Sequence, residues 1–270
     1  MRNIKKMTLL EIIKKVKIDF TQCLIELDFG SILDYQFEIT PNDFLTYCKQ
    51  DFKSNDNRGS INALTNSKRA IDCQTDKVFC LLGLDPNDFP PIIEEFVDKS
   101  KHSPSKKDIP LRLRFIQALN LAPAGIIANA RLLRNKLEHY YKKPTNEEVS
   151  GAIDIAGLFI LATENKLKSM WDFYITDNEK YSSRPPNEVR MPDCISISFD
   201  DKKFLFNVVG CIGTENHLKM SFSNTDIEFY FLFKIATSFD HDNEVQDSII
   251  DLLELIGHPI PSKNVKVEIT

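Results

Sequence analysis

The sequence has no apolar run approaching the roughly 20 residues that a helix needs to cross a bilayer. Its N-terminus is basic, but Glu11, Lys14, Lys15 and Lys17 interrupt the apolar stretch that a secretory signal would need. None of the six cysteines forms a C-x-x-C pair, the spacing typical of zinc sites. These absences predict a cytoplasmic protein with reduced thiols, without membrane attachment, metal site or cofactor.

An excess of positive charge is also lacking, since the formal net charge is −5. This argues against a protein that is coated in basic surface for nucleic acid. The charge is unevenly distributed, however. Residues 99–143 contain eleven Lys or Arg against Asp108 and Glu138, a net charge of +9 that leaves −14 for the remainder. We call residues 99–143 the basic segment, and its local positive potential favours binding to a polyanion.

The first two thirds of the chain have the apolar period of helices. Thr40-Pro41 predicts a helix start, and Thr145-x-x-Glu148 predicts a capping box. Apolar residues near a 3.6-residue period predict helices over 7–29, 41–52, 60–82, 92–98, 110–120, 123–143 and 145–171. Helices in this order indicate an antiparallel helical bundle over residues 1–176.

The pattern changes after residue 176. Residues 177–193 contain Pro185-Pro186 and little apolar content, which predicts a linker. Beyond it the apolar period becomes two, and strands are predicted at 195–199, 204–208, 218–222 and 227–235, with a covering helix at 244–256 and an edge strand at 264–269. The expected fold class is therefore α+β, with the helical bundle followed by a small antiparallel β-sheet module over 194–270.

One stretch combines residues that are suited to binding an anion and to exchanging a proton. Arg131 to Lys143 reads R-L-L-R-N-K-L-E-H-Y-Y-K-K, near the end of a predicted helix. Arg134 and His139 are five residues apart and can converge on one small anion, while Asn135 and His139 can share a helix face. Arg supplies a permanent planar charge, and His can exchange a proton near neutral pH. The same residues are also typical of an ordinary helix end, where basic side chains complement the helix dipole.

This stretch resembles the R-x4-6-H motif of HEPN domains, and through Tyr141 it also fits the extended form R-x4-H-x-Y. The sequences N-A-L-T-N-S-K-R-A-I-D-C-Q-T-D-K (residues 62–77) and K-P-T-N-E-E-V (residues 142–149) are also similar to HEPN helices and their connection. The resemblance covers about residues 60–170. It implies an all-α bundle that forms a homodimer, and catalytic members of the family are metal-independent endoribonucleases.

The resemblance assigns roles to particular residues. His139 is expected to act as the acid and base, and Arg134 to stabilise the phosphate. Asn135 is expected either to orient the imidazole or to donate to the phosphate. Residues expected to bind RNA are Arg131, Lys136, Lys142 and Lys143. Tyr141 is a candidate for nucleotidylation by a partner enzyme. The biological setting implied is a toxin–antitoxin or phage-defence effector, with a protein partner or antitoxin at the C-terminal β-sheet module.

Two other classes of function remain open. A non-catalytic HEPN-like dimeric module would keep the bundle and bind nucleic acid, nucleotide or a protein partner. An interaction protein would work through its C-terminal sheet, and its bundle would only dimerise. RNA cleavage in the presence of EDTA distinguishes the nuclease from both. Salt-sensitive RNA binding without cleavage distinguishes the binding module from the interaction protein.

Overall fold

The structure is a computed structural model that describes residues 7–101, 109–123, 142–168, 170–184, 193–213, 216–240 and 242–270. The chain divides into two compact units. The helical unit consists of residues Leu33–Lys168, and the sheet unit combines Met1–Ile32 with Ser169–Thr270. The fold is thus mixed α+β, with the helical unit inserted into the sequence of the sheet unit.

Within the described residues, the α-helices are α1 Leu9–Val16, α2 Pro41–Lys53, α3 Asn57–Leu81, α4 Pro91–Lys99, α5 Leu111–Ala118, α6 Asn146–Lys168, α7 Asn178–Ser182, α8 Ile227–Ala236 and α9 Asp242–Leu255. The strands are β1 Cys23–Ser31, β2 Met170–Asp177, β3 Cys194–Asp200, β4 Leu205–Ile212, β5 Asn216–Ser223 and β6 Val267–Ile269.

The helical unit is built around α3, which packs against both α2 and α6. Helix α2 begins with a capping box between Thr40 and Asp43 and with Pro41 in its first turn. Helix α3 follows after a tight turn, where a Cβ atom on Gly59 would collide with the carbonyl oxygen of Asp51. Glycine at position 59 therefore allows α2 and α3 to fold back on each other.

The predicted helices of this unit at 41–52, 60–82, 92–98, 110–120 and 145–171 are confirmed as α2 to α6. The last of them ends earlier than predicted, at Lys168, because Met170 and Trp171 belong to strand β2. The described residues 33–168 contain no strand, as a helical bundle requires. The predicted helix over 123–143 falls almost entirely on residues outside the described part of the chain. Its last two residues, Lys142 and Lys143, are described, and they are not helical.

The sheet unit contains a six-stranded sheet with the order β5-β4-β3-β2-β1-β6. Neighbouring strands are antiparallel except β1 and β6, which are parallel. Helix α1 contacts β3 and β4, helix α8 contacts β2, β4 and β5, and helix α9 contacts β6 and α8. Helix α1 approaches β4 closely at Gly210, where a Cβ atom would come within 2.7 Å of Ile12 Cγ2. The strands β3 to β5 confirm the predicted meander, and β6 confirms the predicted edge strand. The helix predicted at 244–256 is confirmed as α9, which packs on α8 and β6.

The predicted helix over 7–29 is wrong in its second half. Helix α1 ends at Val16, because Lys17 adopts a left-handed conformation with φ 59°. Asp19 then caps a short 3-10 turn by accepting a hydrogen bond from the Thr21 N–H. The chain continues as strand β1, whose first residues Cys23, Leu24 and Ile25 are all buried, so their apolar run does not have helical spacing.

The predicted strand over 227–235 is also wrong, since these residues form helix α8. Every residue from Phe229 to Ala236 is buried. The residues between the alternating Phe and Ile are therefore buried as well, and the alternation does not mark one buried and one exposed face. A fully buried helix is apolar on all sides, so its sequence can show the same pattern.

The two units differ from the two domains expected from the sequence. The expected helical domain ended at residue 176, followed by a linker at 177–193. In the structure β1 and β2 pair with each other and belong to the sheet, so the units separate at 32/33 and 168/169. Within the expected linker, Asp177 is the last residue of β2 and α7 follows it, while residues 185–192 lie outside the described part of the chain.

Candidate functional site

The candidate site of the sequence analysis lies mostly outside the described residues. Six of its residues fall within 124–141, the stretch that the structure does not describe: Arg131, Arg134, Asn135, Lys136, His139 and Tyr141. The two remaining residues, Lys142 and Lys143, are described and exposed. The expected convergence of Arg134, Asn135 and His139 therefore stays a prediction.

Both flanks of this stretch are anchored in the helical unit. On the N-terminal side Leu121 and Ala122 are buried, and the Leu121 N–H donates to the Ile116 carbonyl oxygen at 3.1 Å. On the C-terminal side Pro144 is buried next to the start of α6. The described residues on either side of 124–141 are thus held by the core that α5 and α6 help to form.

The predicted capping box at α6 is confirmed by its hydrogen bonds. The Thr145 hydroxyl accepts from the Glu148 N–H at 3.1 Å, and the Glu148 carboxylate accepts from the Thr145 N–H at 2.9 Å. These bonds satisfy two backbone donors at the helix start that have no partner within the helix. They fix the residue at which α6 begins, four residues beyond Lys142.

The basic segment is less available to a ligand than its charge suggests. Arg112 forms an ion pair with Asp76, and its guanidinium carbon lies 5.8 Å from the centre of the Phe79 ring. Arg114 lies 3.8 Å from Asp98, and Lys99 pairs with Glu95 at 2.7 Å. The three acidic partners precede residue 99 in sequence, so counting from 99 to 143 omits the charges that neutralise part of the segment.

A further polar cluster ties α3 to α6. Gln74 is fully buried, and its side-chain amide donates to the Thr163 hydroxyl at 2.7 Å. One turn along α3, Lys77 pairs with Asp34 at 2.6 Å and lies 3.8 Å from Glu164. The cluster includes no thiol and no imidazole, and its bonds join the start of the unit to two helices. We interpret it as structural.

In the sheet unit, Asp177 holds the junction between β2 and α7. Its carboxylate accepts hydrogen bonds from the Asp19 N–H at 3.0 Å, from the Lys180 N–H at 3.0 Å and from the Lys180 ammonium. Burial raises the pKa of Asp177, but the hydrogen bonds from Lys180 and Asp19 outweigh it and bring the pKa below its usual value. The site is a structural junction with a buried ionised carboxylate.

The histidines of the C-terminal part form no common site in the described residues. His217 is exposed on β5, and His241 lies outside the described part of the chain. His258 packs edge-to-face on Phe20, with ring centres 5.2 Å apart, and burial lowers its pKa. Among the described residues no group of three or more His, Cys, Asp or Glu could hold a metal ion. No helix among them is both long and apolar enough to span a membrane.

No protein-family model matches the chain, and no curated protein or solved structure matches it either. The resemblance to HEPN domains therefore depends on the motif and its flanking sequences.

Proposed function

We propose that the chain is a metal-independent endoribonuclease of the HEPN type. The observation that carries this proposal is the spacing of Arg134, Asn135, His139 and Tyr141 between sequences similar to HEPN helices. Two structural features support it. The described residues of 33–168 are helical or irregular, and both flanks of residues 124–141 are anchored in the helical core.

The proposed chemistry uses the nucleophile that RNA carries. His139 accepts the proton of the 2′-hydroxyl, whose oxygen attacks the neighbouring phosphorus. The bond from phosphorus to the 5′-oxygen breaks, and an imidazolium returns a proton to that oxygen. Arg134 binds the phosphate and stabilises the charge that grows on its oxygens, and Asn135 orients the imidazole. The products are a 2′,3′-cyclic phosphate end and a 5′-hydroxyl end.

The binding and regulatory parts of the proposal follow from the same resemblance. Arg131, Lys136, Lys142 and Lys143 bind the RNA backbone, and the exposure of the last two agrees with that role. Two copies pair through the helical unit, which brings two motifs together. The protein acts in the cytoplasm as a toxin–antitoxin or phage-defence effector, with a partner protein at the sheet module. Nucleotidylation of Tyr141 would place negative charge beside the site and silence it.

A second function is favoured by one specific observation. Arg112, Arg114 and Lys99 are engaged in ion pairs within the chain, so the basic segment offers less charge to RNA than its composition implies. A helical module that binds nucleotide or a protein partner without cleaving RNA needs less positive surface. This non-catalytic HEPN-like module is the alternative to the nuclease.

The test is cleavage of mixed cellular RNA in the presence of EDTA. We expect cleavage by the wild type and a loss of about 10²–10⁴ in rate for His139→Ala and for Arg134→Ala. Arg134→Lys should restore little, since it keeps the charge but loses the planar fork. Arg58→Ala and His217→Ala are matched controls, because both side chains are exposed and outside the motif.

The outcomes separate the two functions. Equal cleavage by the wild type and His139→Ala would show that another site or a contaminant is responsible. No cleavage combined with salt-sensitive RNA or nucleotide binding would favour the non-catalytic module. Light scattering tests the dimer, and intact mass after co-expression with a partner enzyme tests for a nucleotide on Tyr141.

A further inference from the structure

Two cysteines of the sheet unit lie directly opposite each other. Cys194 on β3 and Cys211 on β4 are register partners in an antiparallel pair. The Cα atoms of such partners are about 4.5–5.5 Å apart, which is within the range of about 4.4–6.8 Å that a disulfide spans. A side-chain hydrogen bond joins the two thiols. No disulfide joins these two residues in the structure.

The two sulfurs differ in access to solvent. Cys194 is buried with 1% of its surface exposed, whereas Cys211 is half-buried. On the far side of Cys211, the next residue across the sheet is the exposed His217 of β5. The hydrogen bond with Cys211, together with burial, raises the pKa of Cys194. Cys194 therefore keeps its proton, and Cys211 is the sulfur that a dissolved oxidant reaches first.

The other cysteines do not offer this arrangement. Cys23 and Cys48 are buried, and burial raises the pKa of each thiol. Cys73 and Cys80 lie seven residues apart on α3, which separates them by roughly 10 Å along the helix axis. That distance exceeds what a disulfide spans. Among the described residues, Cys194 and Cys211 belong to no group of three or more His, Cys, Asp or Glu that could hold a metal ion.

We propose that Cys194 and Cys211 form a redox-active dithiol that is oxidised by hydroperoxides to a cross-strand disulfide. The Cys211 sulfur attacks the terminal oxygen of the hydroperoxide, and the O–O bond breaks. The leaving oxygen takes up the proton of the Cys211 thiol and departs as an alcohol or water. Cys211 is now a sulfenic acid. The Cys194 sulfur attacks the Cys211 sulfur, the S–O bond breaks, and water leaves with the proton of Cys194. Two thiols have lost two electrons and two protons, and the hydroperoxide has gained them.

The disulfide would close the open end of the β3–β4 hairpin. That end is already joined by a hydrogen bond of 2.7 Å from the Gly213 N–H to the Asp193 carboxylate. A covalent bond there restricts the unfolded chain between residues 194 and 211. Oxidation is therefore expected to raise the Tm of the sheet unit, and reduction with a dithiol reagent should reverse the change.

The experiment exposes the reduced full-length chain to hydrogen peroxide and then counts thiols by alkylation under denaturing conditions. We expect the count to fall from six to four, the mass of the protein to fall by about 2 Da, and peptide mapping to find residues 194 and 211 joined. Cys194→Ser should accumulate a sulfenic acid on Cys211 that a dimedone reagent labels. Cys211→Ser should not, because its remaining sulfur is buried. Cys73→Ser is the matched control, and it should still form the disulfide.

The proposal is overturned if the wild type keeps six reactive thiols, or if the disulfide that forms joins other cysteines or two chains. Because Cys194 is buried, its serine variant could fail to fold. Peptide mapping of the wild type therefore carries the decision, and Cys194→Ala provides a second variant with an apolar side chain. Labelling of Cys194 in place of Cys211 would contradict the proposed order of the two steps.

Discussion

Two carboxylates in the sheet unit are almost completely buried, and each is paired with a lysine. Asp251 on α9 lies 2.7 Å from the ammonium of Lys234 on α8, with both side chains at most 1% exposed. Asp177 is paired with Lys180 and is 1% exposed. Removing one partner from such a pair leaves a charge without compensation in a medium of low polarity. Neither member of such a pair can therefore be replaced without a loss of stability in the sheet unit, although neither pair has an evident chemical role.

The first prediction concerns Asp177→Asn. The substitution removes the negative charge and replaces one of the two oxygens that accept these three hydrogen bonds with an amide nitrogen, which cannot accept. We expect the sheet unit to lose about 1.5–3 kcal/mol of unfolding free energy at pH 7. The pKa of Asp177 is lowered in the folded state, so its contribution is present above the pKa of the unfolded chain and is lost as the pH falls through the folded value. The difference between wild type and variant should therefore shrink at pH 3.

Urea unfolding at both pH values tests this prediction. The single tryptophan of the chain, Trp171, lies in β2 and reports on the sheet unit. Asp201→Asn is the matched control, because Asp201 is exposed in the turn between β3 and β4. A deficit of the same size at pH 7 and pH 3 would mean that the ionised carboxylate is not what stabilises this junction.

At the level of single elements, local signals predicted the helix starts well. Thr40 and Thr145 each begin a capping box. The start at Thr40 was predicted from the Pro41 that follows it, and the start at Thr145 from its spacing to Glu148. Such signals act within four residues and depend little on the rest of the fold. Helix ends and fully buried segments were predicted less well, because their conformation depends on contacts with distant parts of the chain.

The second prediction concerns the capping box of α6. Thr145→Ala removes the hydroxyl that accepts from the Glu148 N–H, and we expect a loss of about 1 kcal/mol in the unfolding free energy of the helical unit. Thr46→Ala is the control, since the Thr46 hydroxyl is exposed in the middle of α2 and donates to the Asn42 carbonyl oxygen. Urea unfolding followed by the helical circular-dichroism signal measures both. Equal losses in the two variants would contradict a role for the cap.

Helix α8 shows why a correct pattern can lead to a wrong element. Strands β3 to β5 alternate because one face of the sheet is covered and the other is largely polar, and the period of two was therefore informative. The sequence of α8 alternates as well, but Tyr230 and Lys234, which stand between the Phe and Ile residues, are also buried. Only knowledge of the Lys234–Asp251 pair and of the neighbouring elements could have distinguished a buried helix from a strand.

The cross-strand cysteines were only nearly within reach of a sequence argument. The predicted strands at 195–199 and 204–208 imply a hairpin, and residues equally distant from the centre of its turn are register partners. That turn would have placed Cys194 opposite Val209, whereas the observed register, in which Asp200 faces Leu205, places it opposite Cys211. The spacing of the cysteines along the chain carries no information on pairing between strands.

At the scale of the whole molecule, the main feature that local patterns could not reveal is the discontinuity of the sheet unit. Strands β1 and β2 are neighbours in the sheet, although 138 residues separate Ser31 from Met170 in the chain. The composition of residues 23–31 does not indicate which strand β1 pairs with. The candidate site presents the opposite case, because its residue types and spacing are evident in the sequence while residues 124–141 lie outside the described part of the chain.

The last prediction follows from the position at which the helical unit is inserted. Ser31 and Met170 are register partners in the β1–β2 pair, so their Cα atoms are about 4.5–5.5 Å apart and a short hairpin turn can join the two strands. We therefore expect that replacing residues 33–168 with a four-residue turn containing Asn-Gly leaves a sheet unit that folds alone. The chain 194–270, which the sequence analysis treated as a module, should not fold, because it lacks β1 and β2.

Circular dichroism and urea unfolding followed by Trp171 fluorescence test whether the shortened chain folds. The chain 194–270 has no tryptophan, so the dispersion of amide signals in NMR spectra is used to compare its folding with that of the shortened chain. In the shortened chain β2 covers one edge of β3, and β1 provides the partner of β6. Without these strands Ile195 and Ile197 of β3 lose their neighbour on β2, and β6 loses its only partner strand in the sheet order. Cooperative unfolding of 194–270 alone, or a shortened chain that stays unfolded, would mean that the boundaries of the sheet unit are not those at 32/33 and 168/169.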